Sequence, residues 1–482
     1  MIDISTAVID FGLIAPEISL VAAAFIILII GYTKRLGKFC ALTALLGIFV
    51  SFYYTLIQYG NPGSGFSGMV TSDDFGVVFR MIFLVTALLT ILIAQNYLSL
   101  KRLNKPEFYA LICFSTMGMM VMANSTDLVV MFLGLEIMSV PLYVMAGFAR
   151  RNLASNESGI KYFIMGAFAS AFLLMGIAFI FGASGTTDLK RIIADLSYLS
   201  EFSHFYFYSG IAMILIGFGF KVGVVPFHSW VPDVYQGAPT PITAFFSVGP
   251  KAAGFAVLLR VFSFGFAEVE ILEPTFWVLA VVTMTVGNVL ALRQNNIKRM
   301  LAYSSIAHAG YILIAFTAGG IEGVSSAVFY LIAYALFNFG AFTVIIMMES
   351  RSGGTTEFSE LKGLLKVHPY LTSILALFMF ALAGFPPTVG FIGKFYIFSA
   401  ALKNGFIWLT LIGVMNSFIS VYYYLRVIKV SCFEDSDSEF APMSMTPALM
   451  FVLFITILGT LGLGIFPDQI LEFSKTALFA FL

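Results

Sequence analysis

Pro226-Phe227-His228-Ser229-Trp230-Val231-Pro232-Asp233-Val234-Tyr235-Gln236-Gly237-Ala238-Pro239-Thr240-Pro241 lies between two apolar runs, Gly210 to Val225 and Ile242 to Phe262, and begins five residues after a lysine, Lys221. Proline has no backbone donor and its ring obstructs the preceding helical turn, so the first run cannot continue through Pro226 as a regular helix. Both runs approach the roughly 20 apolar residues that cross a hydrocarbon core, which puts the break inside a membrane. Irregular backbone at that depth is tolerated only against protein or a water-filled cavity. Water is therefore expected beside Lys221. A further proline, Pro250, immediately precedes Lys251, which sits nine residues into its run, about 13 Å deep at the helical rise.

The composition of the whole chain agrees. Of 482 residues, 60% are hydrophobic and 11% are charged, where a soluble domain carries roughly 25% charged residues. Too few charges remain to build a water-facing surface, so the fold class is an all-α membrane protein. Basic and acidic residues balance at 26 each, which gives no reason to expect nucleic acid as a partner. Cys40, Cys113 and Cys432 are far apart, and His204, His228, His308 and His368 are scattered. Neither a thiolate metal motif, an iron-sulfur ligand run nor a haem pair is indicated. Phosphate-binding glycine motifs are missing too, so no cofactor is expected on this chain.

Apolar runs bounded by charge, Pro or Gly number about fourteen. Lys and Arg alternate between the loops: Lys34, Arg35, Lys38, Lys101, Arg102, Lys105, Arg150, Arg151, Arg293, Lys298, Arg299, Arg351, Lys362, Lys366 and Lys429 fall in odd-numbered ones. The even-numbered loops hold Lys190, Arg191 and Lys403, with Lys475 in the tail, beside Asp73, Asp74, Glu268, Glu270 and Glu273. Basic loops face the cytoplasm, so both termini are expected on the opposite side. Met1-Ile2-Asp3 lacks the basic start of a cleaved signal peptide.

Seven basic residues fall within the spans: Arg80, Lys161, Lys221, Lys251, Arg260, Lys394 and Arg426. The three arginines lie near span ends and are expected to snorkel to the interface. A lysine at the bilayer centre costs about 2.5 to 3.5 kcal/mol, so the lysines are candidate functional residues. Glu136 is the acidic residue of comparable depth, about 12 Å into the run from Leu128. His308 lies similarly deep; it is either a proton carrier or a core histidine bonded to Ser304. Lys161 has a rival reading as an interfacial i to i+4 pair with Glu157.

Helix breakers coincide with these charges. Pro141 cannot donate to the carbonyl of Ile137, beside Glu136. Gly384-Phe385-Pro386-Pro387-Thr388-Val389-Gly390-Phe391-Ile392-Gly393-Lys394 repeats the Lys221 break in the twelfth span. Two interrupted spans, five apart in order and each with a lysine, point to two inverted five-helix repeats with discontinuous helices at spans 7 and 12. The chain then divides into residues 1–107, a first repeat over 108–265, a second over 276–430, and a last span and tail over 446–482.

Val225 to Pro241, together with Asn296-Ile297-Lys298-Arg299-Met300-Leu301-Ala302-Tyr303-Ser304-Ser305-Ile306-Ala307-His308-Ala309-Gly310-Tyr311, resembles the antiporter-like membrane subunits of respiratory complex I and their Mrp antiporter and hydrogenase relatives. The likeness covers nearly the whole chain. Length, span count, a short tail after Phe466, and the runs Gly390 to Tyr396 and Val421 to Arg426 resemble the family's N type. The M type typically has Glu where Lys394 stands. The resemblance implies that Glu136 partners Lys221, that Lys251 lies at the centre, that Lys394 marks the far half, and that His308 and Lys161 are auxiliary positions of a proton path. It also implies a bacterial inner membrane, other membrane subunits of the complex and lipid as partners, and NADH, FMN, iron-sulfur clusters and quinone on other subunits.

Burial weakens a lysine's hold on its proton and a nearby carboxylate strengthens it. At an effective dielectric near 20, two unit charges 4 Å apart interact by about 4 kcal/mol, enough for a moving Glu136 to switch Lys221. The function expected is proton translocation by a non-redox subunit, driven by quinone reduction elsewhere. Two rivals are an Mrp-type cation/proton antiporter subunit, distinguished by sodium dependence, and a sealing scaffold, which would keep coupled pumping after Lys251→Met.

Overall fold

A computed structural model describes residues 10–33, 36–196, 200–266, 269–349, 355–435 and 445–479. Met1-Ile2-Asp3 and the loop charges Lys34, Arg35, Glu268 and Arg351 lie outside them. The helices run α1 (Ala15–Gly31), α2 (Cys40–Gln58), α3 (Asp74–Leu100), α4 (Pro106–Asn124), α5 (Leu128–Ala146), α6 (Leu153–Ser184) and α7 (Leu189–Asp195). Next come α8 (Glu201–Val222), α9 (Trp230–Gly237), α10 (Thr240–Leu258), α11 (Leu272–Ala291), α12 (Ile297–Ala318) and α13 (Gly320–Glu349). The last are α14 (Leu364–Val367), α15 (Pro369–Ala383), α16 (Val389–Lys403), α17 (Ile407–Phe433), α18 (Pro447–Ile465) and α19 (Asp468–Phe479). A short antiparallel hairpin, β1 (Gly63–Gly65) and β2 (Val70–Ser72), joins α2 to α3.

Twelve of the described helices are long and apolar enough to cross a membrane. The other two predicted spans are α1, with only 17 residues, and the twelfth, divided into α15 and α16 of 15 residues each. The seventh is α8 followed by the eight-residue α9. Pro141 and Pro250 break nothing: α5 and α10 run through them, because each removes one ladder bond in a helix held by its neighbours. Every residue of α10 is buried, as is nearly all of α12, so these two helices form the axis of the bundle. Around them pack α3, α8, α9, α11, α13, α16 and α17.

One set of backbone contacts occurs twice. Leu128 N bonds Thr187 O and Leu189 N bonds Thr126 O; the same pair recurs, at one constant shift along the chain, as Ile297 N to Thr356 O and Phe358 N to Asn295 O. At that shift Gly118 of α4 meets the Met138 backbone of α5, and Gly287 of α11 meets Ala307 of α12. A Cβ at either glycine would stand 2.3 or 2.6 Å from the facing amide nitrogen, so only glycine lets the paired helices touch. The two breaks also match. α8 ends at Gly223 (φ 78) and α15 at Gly384 (φ 87), the left-handed conformation that glycine adopts most readily. Both glycines and the residues after them donate back to corresponding carbonyls, Gly219 and Phe220 in one, Phe380 and Ala381 in the other. A cis X–Pro bond follows in each, Val225–Pro226 and Pro386–Pro387.

Candidate functional site

Lys221 stands in the last turn of α8. Its Nζ donates to Ser139 Oγ at 2.7 Å and to Tyr143 OH at 2.9 Å, both on α5. Trp230, just past the break, donates Nε1 to Phe220 O at 2.8 Å and stacks on Tyr162. Glu136 precedes Ser139 by one turn, is half-buried, and accepts from Ser170 Oγ of α6. It makes no ion pair with Lys221 among the described residues within 4.0 Å. Glu136 and Lys221 are therefore not in direct contact: Ser139 and Tyr143, one and two turns further along α5, accept from the ammonium, while Glu136 accepts from Ser170.

Lys251, in the middle of α10, donates to Ser305 O at 2.6 Å and also to Ser305 Oγ of α12. Next in the chain, Ser304 bonds Tyr424 OH of α17. That hydroxyl also meets His308 Nε2 at 3.0 Å, and His308 Nδ1 meets Tyr330 OH of α13 at 2.6 Å. His308 is thus held by two tyrosines, not by Ser304. Lys394, in the second turn of α16, donates to Leu382 O at 3.3 Å, Ala383 O at 2.9 Å and Ser417 Oγ at 2.9 Å. Its ammonium lies 4.9 Å from the centre of the Tyr311 ring, and the His308 ring lies 5.8 Å from the same ring. Polar side chains thus run from Lys251 through Ser305, Ser304, Tyr424 and His308 to the neighbourhood of Lys394. A cleft of about 560 Å³, lined by Lys394, Ser417, Phe385, Phe395 and Phe418, opens beside that end.

At both breaks, carbonyls expected to need water or protein partners find protein donors: Trp230 donates to Phe220 O, and Lys394 donates to Leu382 O and Ala383 O. The lysines are not equivalent in the two breaks. Carrying the register forward from Gly223 and Gly384 places Asp233 where Lys394 stands, and Leu382 where Lys221 stands.

Asp233 is the residue sequence reasoning missed, although it lies within the decisive stretch. Its carboxylate accepts from Lys161 Nζ and from Arg299 Nη1, both at 2.7 Å, and Gln236 also binds that arginine. Lys161 keeps its predicted pair with Glu157 at 2.6 Å as well, with 41% of its side chain exposed. This half-exposed cluster is separate from the central row. Two predicted snorkelling arginines are corrected, since acids distant in sequence bury them. Arg80 is fully buried against Glu17 at 2.7 Å, and Arg260 binds both oxygens of Asp73 and Ala123 O. Arg426 stays half-buried on Gln294 O and Asn295 Oδ1. Lys298, assigned to a loop, is instead buried and donates to Ala238 O at 2.6 Å.

The family model described as NADH:quinone oxidoreductase/Mrp antiporter, transmembrane, matches residues 125–420. The chain is 45% identical over 472 residues to NADH-quinone oxidoreductase subunit N of Trichlorobacter lovleyi, with 97% of each chain covered. It is similar, with a TM-score of 0.80 and 31% identity over 95% of this chain and 98% of the other, to a chain of respiratory complex I from Thermus thermophilus with bound aureothin. A chain of the Mrp complex from Dietzia sp. DQ12-45-1b gives a TM-score of 0.80 at 21% identity, over 97% of this chain and 96% of the other. That last likeness concerns the fold alone.

Proposed function

Because the chain belongs to the NADH:quinone oxidoreductase/Mrp antiporter family of membrane subunits, we propose that it carries protons across the membrane as the N-type subunit of an NADH:quinone oxidoreductase, through Lys221, Lys251, His308 and Lys394. The observation that carries this reading is the contrast between two kinds of buried cation. Arg80 and Arg260 are locked to carboxylates. Lys221, Lys251 and Lys394 each face a hydroxyl, from Ser139 and Tyr143, Ser305 and Ser417 respectively, and among the described residues none has a carboxylate within 4.0 Å.

A hydroxyl accepts from an ammonium and, after rotating, donates to the lone pair of a neutral amine. Each lysine can therefore give up its proton without leaving a buried partner unsatisfied, whereas a lysine paired to Asp or Glu would strand a charge. His308, between two tyrosine hydroxyls, can take a proton at one ring nitrogen and release one from the other. Glu136 sits one turn from Ser139 and biases the Lys221 end through the field rather than by contact. Lys161, bound to Asp233 and Glu157, anchors the rim of this half. Residues 108–265 and 276–430 are the two repeats of this device. NADH, FMN, iron-sulfur clusters and quinone belong to other subunits of the complex, and this chain lies in the bacterial inner membrane with both termini on the non-cytoplasmic side.

The test is Lys251→Met in the intact complex. Membrane vesicles should oxidise NADH with the subunit still assembled while proton uptake per NADH falls. Unchanged uptake would sink the reading in favour of a sealing scaffold.

A further inference from the structure

Lys101, Arg102, Lys105, Arg150 and Arg151 come together where the α3–α4 and α5–α6 connections meet, and all five line one cavity of about 640 Å³. Each is exposed, and among the described residues none forms an ion pair within 4.0 Å. Glu349 also borders this cavity, but the hydroxyls of Tyr97 and Thr240 engage its carboxylate. A second cavity, of about 650 Å³, shares Lys105, Phe148 and Arg150 with the first. From that joint it runs along α4, α5 and α6 over Leu28, Leu111, Phe114, Val144 and Ile160, with Glu107 near its head. A basic chamber therefore opens into an apolar furrow.

We propose that the two cavities together bind one anionic phospholipid, its phosphate between Lys105 and Arg150 and its acyl chains along the furrow. The order of surfaces matches the order of groups in such a lipid. Basic pockets between transmembrane helices attract anionic headgroups, and a guanidinium fork suits phosphate oxygens. A free phosphate would have no use for the furrow. Arg102 adds support: its φ is 57, a conformation glycine adopts at less cost, yet the position holds a cation facing the chamber.

The test uses the intact complex stripped of lipid in detergent, then incubated with phosphatidylglycerol or phosphatidylcholine, with lipid on this subunit counted by native mass spectrometry. Phosphatidylglycerol should be retained and phosphatidylcholine should not. Lys105→Gln with Arg150→Gln should weaken retention about 25-fold, at about fivefold for each charge removed. Val144→Trp, at a position 49% exposed, should fill the furrow and weaken binding with all five charges in place. Equal retention by the double charge variant would overturn the proposal. So would normal binding by Val144→Trp with displacement by equimolar inorganic phosphate, which would mark a phosphate site. Loss of neighbouring subunits from Val144→Trp at unchanged lipid count would assign the furrow to a protein partner instead.

Discussion

Tyr424 joins Ser304 to His308 through a single hydroxyl, so Tyr424→Phe deletes both links while keeping the ring against Tyr423. Proton uptake by vesicles carrying this variant should fall by an order of magnitude or more, in the range lost with a positioned proton-transfer group, with the subunit still assembled. Uptake within twofold of wild type would remove His308 from the path. Lys394 makes a sharper distinction between a mobile and a fixed charge. Arginine keeps the charge but does not deprotonate, so Lys394→Arg should stop fluorescence-detected proton uptake as completely as Lys394→Met does. Normal uptake would leave Lys394 as a helix cap only. The candidate site residues were legible in the sequence as charges deep within apolar runs, and Lys251 and Lys394 are buried within the helices where those runs placed them. Their partners were not. Ser139 is 82 residues from Lys221, and Tyr424 is 116 from His308; no local periodicity links them. The same distance hid Glu17 and Asp73 from Arg80 and Arg260, which read as snorkelling cations until the fold supplied their acids.

The long apolar helices, twelve of them long enough to cross a membrane among the described residues, were readable because lipid demands a long apolar run for each crossing, and the breaks because proline and glycine cluster there. The places where proline merely thins a hydrogen-bond ladder, at Pro141 and Pro250, carry the same letters, and only tertiary packing separates them from true interruptions. The break after α15 can be tested through its glycine. A Cβ at Gly384 would lie 3.0 Å from Lys394 Cδ, whereas one at Gly405, with nearly the same φ of 86, meets nothing within 4 Å. Gly384→Ala and Gly405→Ala should each cost about 1–2 kcal/mol for the left-handed backbone, seen as similar drops in unfolding temperature. Only Gly384→Ala should also depress proton uptake, because it alone displaces the lysine. Equal uptake in the two variants would mean that the position of Lys394 is not critical.

Across the whole molecule, Arg260, following α10, grips Asp73 at the start of α3 and the last turns of α4 through Ala123 O, so one buried cation reinforces the packing of α3 and α4 against the central bundle. Removing one member of such a pair leaves an uncompensated charge, at a cost of about 3–5 kcal/mol. Arg260→Met should therefore be severely destabilising in thermal unfolding, and Arg260→Met with Asp73→Asn should cost less than the sum of the two changes. Full recovery is not expected, since Asp73 also caps α3 through Gly76 N. Additive losses would show that the pair contributes no coupling. The two breaks, alike in their backbone, carry opposite charges at one matched position: Asp233, clamped by Lys161 and Arg299, in one half, and Lys394, facing two carbonyls, a hydroxyl and the Tyr311 ring, in the other. Two identical halves would make a device with no preferred sense along the membrane plane. Opposite charges at the matched position destroy that equivalence; with Lys394 as the proposed proton carrier, one half has a fixed terminus and the other a group free to change state, so that a signal arriving at one flank of the subunit is not interchangeable with a signal arriving at the other.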